Sequence, residues 1–206
     1  MTFWIKICGV RNRDDVSAVR EAGADAIGMN LVEGSPRFLT EPELQTVFDA
    51  AQGLERVAVV ADPTPASLTA LLQRFPFERV QLHGFESPEL FLKLDARCFK
   101  AVRVGSRQDA AAAMEFGGEW VLIDARVEGV LGGSGVLVET DWIVDLASQR
   151  KIVLAGGLTP DNVAQRIRTL QPHGVDVASG VEVSPGVKDP QKIERFVRQA
   201  RSAAAS

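Results

Sequence analysis

Eight short apolar segments, separated by amphipathic stretches, follow one another along the whole chain. The apolar segments cover residues 3–7, 26–29, 56–60, 79–82, 99–104, 120–123, 151–154 and 175–178, and each has the length of a buried strand. The stretches that lie between or after them carry apolar residues at three- and four-residue spacing, which predicts helices over 14–22, 42–51, 65–74, 88–94, 108–116, 141–148, 160–170 and 190–203. Strands separated by helices pair in parallel through right-handed crossovers. The pattern therefore predicts a parallel α/β fold.

Capping signals support several of these helix boundaries. Four times an oxygen-bearing residue stands directly before a proline, which predicts an N-cap followed by the first helical residue: Thr64-Pro65, Ser87-Pro88, Thr159-Pro160 and Asp189-Pro190. Thr40 with Glu43 fits a capping box, and Gly23 is placed to end the first helix.

Two architectures fit eight βα units, a closed (β/α)8 barrel and a doubly wound open sheet. Polar residues at inward strand positions, Lys6, Gln81 and Asp176, suit a barrel interior better than a sheet covered on both faces. The open sheet also tends to carry a glycine-rich first turn, which this chain lacks. We therefore predict a single (β/α)8 (TIM) barrel domain over residues 1–206, with eight parallel strands and outer helices.

Composition narrows the class of protein. The formal charge of −4 argues against a general nucleic-acid binder, and no apolar stretch approaches the ~20 residues that span a bilayer. Cys8 and Cys98 make no disulfide framework, and the first residues lack the apolar run of a signal peptide. We expect a cytoplasmic protein that binds neither nucleic acid nor membrane.

Candidate functional residues lie where the predicted strands end, because the active sites of such barrels lie at the carboxyl ends of the strands. Gly156-Gly157 follows the seventh strand and Ser179-Gly180 follows the eighth. Glycines allow close approach to bare backbone N–H groups, and these two loops are the usual phosphate site of the fold. The alternative is that these glycines only make tight turns. We expect a phosphorylated substrate.

Cys8 and Asp124 end the first and sixth strands and are placed to face each other across the barrel mouth. A thiolate and a carboxylic acid on opposite sides of a substrate form an acid–base pair. The alternative for Cys8 is a small buried apolar residue. Lys6 points to the same face, and we expect it to pair with Asp176 and to lower the pKa of Cys8 as a secondary effect.

Several motifs occur together and in order along the chain. They are KICG at 6–9, GSPR at 34–37, QLHG at 81–84, LIDAR at 122–126, GGSG at 132–135, LAGGL at 154–158, GVDVASGVE at 174–182 and PGVKD at 185–189. In this combination the chain resembles the phosphoribosylanthranilate isomerase family of tryptophan biosynthesis, which is built on a small (β/α)8 barrel.

The resemblance implies an Amadori rearrangement of N-(5′-phosphoribosyl)anthranilate to 1-(2-carboxyphenylamino)-1-deoxyribulose 5-phosphate. An acid protonates the ribose ring oxygen to open the ring to a Schiff base, and a base then removes the proton from C2′. By matching motif, Asp124 is the acid, Cys8 the base, and Arg37 receives the anthranilate carboxylate. The alternative for Arg37 is a solvated loop arginine. His83 is expected to line the pocket, and no cofactor or metal is implied.

Two positions depart from the family pattern. Phe85 stands where an acidic residue is common, and Ala178 replaces a frequent serine. Both are expected at the pocket wall or the phosphate rim. Cys98 and His173 are expected away from the site, as a buried filler and a turn or surface residue.

Two other functions remain as alternatives. The histidine-pathway aminoaldose isomerase uses carboxylates for both proton transfers and binds two phosphates, whereas this chain has Cys8 and one glycine-rich pair of loops. A barrel that only binds a phosphorylated metabolite has no need of Cys8 together with Asp124. The protein is expected to act as a monomer or a homodimer.

Overall fold

Eight parallel strands close into a barrel in sequence order, as the computed structural model, which describes residues 3–104, 106–124 and 141–205, shows. The strands are β1 (Trp4–Cys8), β2 (Ala26–Asn30), β3 (Glu55–Val60), β4 (Arg79–Leu82), β5 (Cys98–Arg103), β6 (Trp120–Asp124), β7 (Lys151–Ala155) and β8 (Gly174–Val177). The first and last strands pair in parallel, with Lys6 opposite Asp176. The closed barrel is confirmed and the open sheet is excluded. The GGSG motif at 132–135 and the last two residues of LIDAR lie outside the described residues.

Each strand is followed by a helix. The helices are α1 (Arg13–Ala22), α2 (Glu41–Ala50), α3 (Pro65–Arg74), α4 (Pro88–Phe91), α5 (Arg107–Ala113), α6 (Asp141–Gln149), α7 (Val163–Leu170) and α8 (Pro190–Ala204). Between β8 and α8 the chain forms a 3₁₀ turn (Ser179–Val181) and a small hairpin of β9 (Glu182–Ser184) and β10 (Val187–Lys188). This hairpin was not predicted from the sequence.

Most of the capping predictions are confirmed. The side chains of Thr64, Ser87 and Asp189 each accept a hydrogen bond from a backbone N–H of the following turn, and Thr40 and Glu43 form the capping box. Gly23 ends α1 in the left-handed conformation, with φ of 78°.

The predicted start of the seventh helix at Pro160 is wrong, because α7 begins at Val163. Asn162 Oδ1 accepts from the Thr159 N–H at 2.8 Å, and Thr159 Oγ1 accepts from the Asp161 N–H at 3.2 Å. These side-chain bonds hold the segment in a local turn that competes with helix.

The core is divided by the barrel wall into an inner and an outer layer. The outer layer packs the helices against the strands and holds most of the buried aliphatic side chains. The inner layer lies inside the barrel and contains Trp4, Ala26, Val57, Phe99, Ala101, Leu122, Val153 and Ala155. Lys6, Gln81 and Asp176 are also buried there, as their inward positions predicted. None of the helices in the described ranges is long and apolar enough to cross a bilayer.

Candidate active site

A cavity of about 340 Å³ opens at the carboxyl ends of the barrel strands. Its lining includes every residue that the sequence singled out for the site: Cys8, Arg37, His83, Asp124, Gly156, Gly157, Ser179 and Gly180. Residues from the first, second, fourth, sixth, seventh and eighth βα units therefore meet at one opening. The barrel closure explains this, because it brings all strand ends to the same face.

Cys8 is the last residue of β1 and lies buried in the cavity wall. Gly28 on the neighbouring strand makes room for it, since a Cβ at Gly28 would lie 2.8 Å from Cys8 Sγ and 3.0 Å from Lys6 Nζ. Burial raises the pKa of the Cys8 thiol, and the ammonium of Lys6 acts in the opposite direction. A thiol held beside a buried cation is a group that can give up and regain a proton.

A chain of hydrogen bonds crosses the floor of the cavity beneath Cys8. Lys6 Nζ donates to Asp176 Oδ1 at 2.9 Å and to Gln81 Oε1 at 3.0 Å. Gln81 Nε2 lies 3.0 Å from Nδ1 of His83. Burial alone would lower the pKa of Lys6, but the charges of Asp176 and Cys8 raise it overall, so Lys6 stays an ammonium. The expected pairing of Lys6 with Asp176 is confirmed.

Asp124 ends β6, where it is the register partner of Arg103 on β5 and of Ala155 on β7. Its side chain lines the same cavity as Cys8. Its charge also reaches His83, on which it acts to raise the pKa against the larger effect of burial. Asp124 therefore places a carboxyl in the cavity wall at the barrel mouth.

Arg37 follows β2 and lies against Gly9, where a Cβ would come within 2.4 Å of Arg37 Cδ. Its Nε and Nη2 both donate to the carboxylate of Glu182, each at 2.7 Å. This bond raises the pKa of Arg37. Burial alone would raise the pKa of Glu182, but the bonds from Arg37 and Lys188 lower it overall. Glu182 thus holds the Nε–Nη2 edge of the Arg37 guanidinium, and Arg37 lines the cavity.

The loops after β7 and β8 approach each other closely. Gly156 and Gly157 have φ of 87° and 62°, which favour glycine, and a Cβ at Gly180 would lie 1.8 Å from the carbonyl oxygen of Leu158. Lys188 Nζ donates at 3.0 Å to the carbonyl of Ala178, just before Ser179. Both loops line the cavity, at the position where the sequence predicted a phosphate site.

The two departures from the family pattern, Phe85 and Ala178, differ in their relation to the cavity. Phe85 does not touch the cavity wall, because its side chain is 93% exposed, so this departure from the family pattern leaves the pocket unchanged. Ala178 does line the cavity. Cys98 is buried at the start of β5, where burial raises its pKa to about 12, and neither it nor His173 lines the cavity.

Sequence reasoning missed the residues that hold the site in place. Glu182 binds Arg37, and Lys188 binds both Glu182 and the Ala178 carbonyl. These two residues stand within the GVDVASGVE and PGVKD motifs, but no role was predicted for them from the sequence. The sequence did contain a signal for them. Both charged residues lie inside glycine-rich motifs rather than on a helix surface. In the described residues no group of three or more His, Cys, Asp or Glu side chains is arranged to hold a metal ion.

Comparison with known proteins identifies the family. The family model described as N-(5′-phosphoribosyl)anthranilate (PRA) isomerase matches residues 5–199. The chain belongs to the phosphoribosylanthranilate isomerase family. A curated member from Thiobacillus denitrificans is 39% identical, with 98% of this chain and 100% of the relative covered.

Solved structures of this family also superpose on the chain. The crystal structure of the enzyme from Thermotoga maritima superposes with a TM-score of 0.85 at 32% identity, covering 98% of this chain and all of that one. A second family structure, in complex with reduced 1-(o-carboxyphenylamino)-1-deoxyribulose 5-phosphate, has a TM-score of 0.84 at 31% identity over the same shares. The family assignment therefore covers the whole barrel.

Proposed function

We propose that this protein isomerises N-(5′-phosphoribosyl)anthranilate to 1-(2-carboxyphenylamino)-1-deoxyribulose 5-phosphate in tryptophan biosynthesis. The observation that carries this function is the meeting of Cys8, Asp124 and Arg37 with two glycine-rich loops at one cavity, in a chain of this family. The substrate, an aminoaldose phosphate with an aromatic carboxylate, has a matching group for each of them: the sugar for Cys8 and Asp124, the carboxylate for Arg37 and the phosphate for the loops.

The two proton transfers are assigned to Asp124 and Cys8. Asp124, as the acid, protonates the ribose ring oxygen and opens the ring to a Schiff base. Cys8, as the base, removes the proton from C2′, and the electron pair left behind moves into the imine to give an enolamine. This product tautomerises to the ketone, so the reaction needs no group beyond a positioned acid and base.

Binding is assigned to three parts of the cavity wall. Arg37 takes the anthranilate carboxylate on the side of its guanidinium that Glu182 does not hold. The backbone of Gly156, Gly157, Ser179 and Gly180 takes the phosphate. His83 contacts the sugar between them.

One specific feature disfavours the histidine-pathway aminoaldose, whose two phosphates need a second backbone site. The loops after β3 and β4 are the corresponding positions, and their N–H groups already donate to carboxylates. Asp62 Oδ1 accepts from Phe85 N at 2.7 Å, and Glu86 accepts from Asp62 N at 2.8 Å and from Gly84 N at 3.1 Å. Glu86 is also paired with Lys100 Nζ at 2.8 Å, so these N–H groups are already occupied by protein carboxylates and are not free to bind a second phosphate.

We place the enzyme in the cytoplasm and propose that it acts as a monomer or a homodimer. All the site residues named above line one cavity of a single chain, which is compatible with both states.

The test is an assay with the purified protein in which the fluorescence of the anthranilate substrate, generated in place, is followed over time. We expect rapid loss of this fluorescence, and no turnover of the histidine-pathway aminoaldose in a separate assay of its own conversion. Arg37→Ala should raise KM with a smaller effect on kcat, whereas Arg56→Ala, which removes an arginine paired with Glu78 and outside the cavity lining, should leave both unchanged. Turnover of the histidine-pathway substrate alone would overturn the proposal.

A further inference from the structure

We propose that Lys6 and Gln81 are positioning residues that fix His83 as a neutral imidazole with its proton on Nε2, so that His83 donates a hydrogen bond to a substrate oxygen and takes no part in proton transfer. This inference rests on the proposed function for the identity of the substrate. The protonation of His83 itself depends on the hydrogen-bond chain on the cavity floor and on the burial of the ring, not on the substrate.

The chain starts at a group that can only donate. The Lys6 ammonium has no acceptor, its side chain is fully buried, and Asp176 Oδ1 at 2.9 Å keeps it charged. Its second bond, of 3.0 Å, reaches the side-chain amide of Gln81. The amide must present its oxygen to Lys6, because the opposite orientation would set an NH₂ group against an ammonium.

The orientation of the Gln81 amide then decides what His83 receives. With Oε1 on Lys6, the NH₂ group of Gln81 faces His83, and Nε2 lies 3.0 Å from Nδ1 of the imidazole. An amide nitrogen donates and does not accept. Nδ1 must therefore carry the lone pair, and the single proton of the neutral ring is on Nε2.

The surrounding charges keep the ring neutral. Burial lowers the pKa of His83, and the cations Lys6 and Lys100 add to this effect. Asp124 and Asp176 act in the opposite direction and do not outweigh it. An imidazolium would also turn an Nδ1–H towards the Gln81 NH₂, which would cost the hydrogen bond between them.

The consequence for the site is a division of roles. His83 lines the cavity, and a ring that uses Nδ1 on Gln81 has only Nε2–H left to offer a ligand. A donor without a free lone pair cannot remove the C2′ proton, which leaves that step to Cys8. The group it suits is a hydroxyl or ring oxygen of the phosphorylated sugar.

The direct experiment is nuclear magnetic resonance of the free protein labelled with ¹⁵N in the histidine rings. The chain has two histidines, so His83→Gln assigns the His83 signals and His173 serves as an internal reference. At pH 7 we expect the correlation pattern of a neutral ring with the proton on Nε2. A proton on Nδ1, or an imidazolium, would overturn the proposal, and the spectrum of the wild-type protein is enough to show it.

Gln81→Glu tests whether the Gln81 amide sets the tautomer of His83. A glutamate at this position accepts from Lys6 and offers only acceptors to His83, so we expect the ring proton to move to Nδ1 and the pKa of His83 to rise. The His173 signals should not change. An unchanged Nε2–H tautomer in a folded Gln81→Glu protein would show that Gln81 does not set it.

Kinetics separate this inference from the proposed function. His83→Gln keeps an N–H near the position of Nε2–H and should stay within about threefold of the wild-type kcat/KM, whereas His83→Leu should lose about threefold to tenfold, the effect of one neutral hydrogen bond. Equal losses in both variants would contradict the donor role. An inactive wild-type protein that still shows the Nε2–H tautomer would overturn the proposed function and leave the hydrogen-bond chain standing.

Discussion

Arg37 and Glu182 are joined by two parallel hydrogen bonds of 2.7 Å, from Nε to Oε1 and from Nη2 to Oε2. Glu182 also accepts from Lys188 Nζ at 2.9 Å, and Lys188 donates to the Ala178 carbonyl beside the phosphate rim. The arginine assigned to the substrate carboxylate is therefore tied to the loop assigned to the phosphate. In the proposed function, one connected set of side chains therefore supports the groups that bind both ends of the substrate.

Glu182→Gln should raise KM roughly tenfold or more and change kcat much less. The amide cannot hold the guanidinium by two charge-assisted bonds, which are worth about 1.5–3 kcal/mol, so Arg37 loses its fixed orientation. Steady-state kinetics measure both parameters, and thermal unfolding reports any loss of stability from the two cations left behind.

Glu78→Gln is the matched control for this change. It breaks another arginine–glutamate pair, with Arg56, at a position outside the cavity lining. We expect wild-type kinetics from it. A normal KM in Glu182→Gln would show that Arg37 needs no such partner.

Gly180→Ala should weaken binding of the phosphate group. The added methyl would lie 1.8 Å from the Leu158 carbonyl oxygen and must push the loops after β7 and β8 apart, at a cost of typically 1–3 kcal/mol. Competitive inhibition by inorganic phosphate measures the effect, and we expect its inhibition constant to rise about tenfold.

Gly117→Ala provides the comparison, because a Cβ there meets its nearest neighbour, a ring carbon of Phe91, at an ordinary 3.5 Å. Inorganic phosphate should inhibit Gly117→Ala with the same inhibition constant as the wild type. If Gly180→Ala kept its affinity for phosphate, the loops after β7 and β8 would not be the phosphate site.

The fold followed from local sequence patterns because each βα unit carries its own signal. The strand and helix periodicities, the caps at Thr64 and Asp189, and the inward polar residues Lys6 and Asp176 all indicated a barrel. The boundary at Pro160 was missed because Asn162 and Thr159 form side-chain bonds to nearby backbone, which periodicity does not register.

The site was less predictable than the fold. Strand ends gave the residues that face the cavity, since a barrel places all of them on one face. The partners of those residues come from distant parts of the chain: Arg37 and Glu182 are 145 positions apart, and Lys6 and Gln81 are 75 apart. Such pairs depend on strand register and loop path. The pair of Lys6 with Asp176 was predicted because it lies at the seam where β8 closes onto β1, whereas no such rule pointed to the other two pairs.

The thiolate fraction of Cys8, and with it the reactivity of its sulfur, should rise with pH through the neutral and mildly alkaline range. Burial raises the pKa of Cys8, with Asp176 adding to this effect and Lys6 and Lys188 opposing it, so the thiol is mostly protonated at neutral pH. Only the thiolate can remove the C2′ proton, and its fraction grows about tenfold per pH unit below the pKa. Because the cycle also needs Asp124 as an acid, the pH profile of kcat/KM reflects both groups, and the ionisation of Cys8 has to be measured on the thiol itself.

A direct measurement of this ionisation is the rate at which iodoacetamide alkylates Cys8, with Cys8→Ser as the blank. The alkylation rate should rise with pH over this range. A rate that is already constant at neutral pH would contradict a raised pKa of Cys8.

The most direct test of the account is the turnover of N-(5′-phosphoribosyl)anthranilate by Cys8→Ser and Asp124→Asn, measured beside the wild type and Cys98→Ser. We predict that each of the first two variants lowers kcat by at least about 10²-fold, the scale of a lost general acid or base, while Cys98→Ser, a buried residue outside the cavity lining, keeps wild-type turnover. Turnover within a few-fold of wild type in either Cys8→Ser or Asp124→Asn would contradict the acid–base assignment.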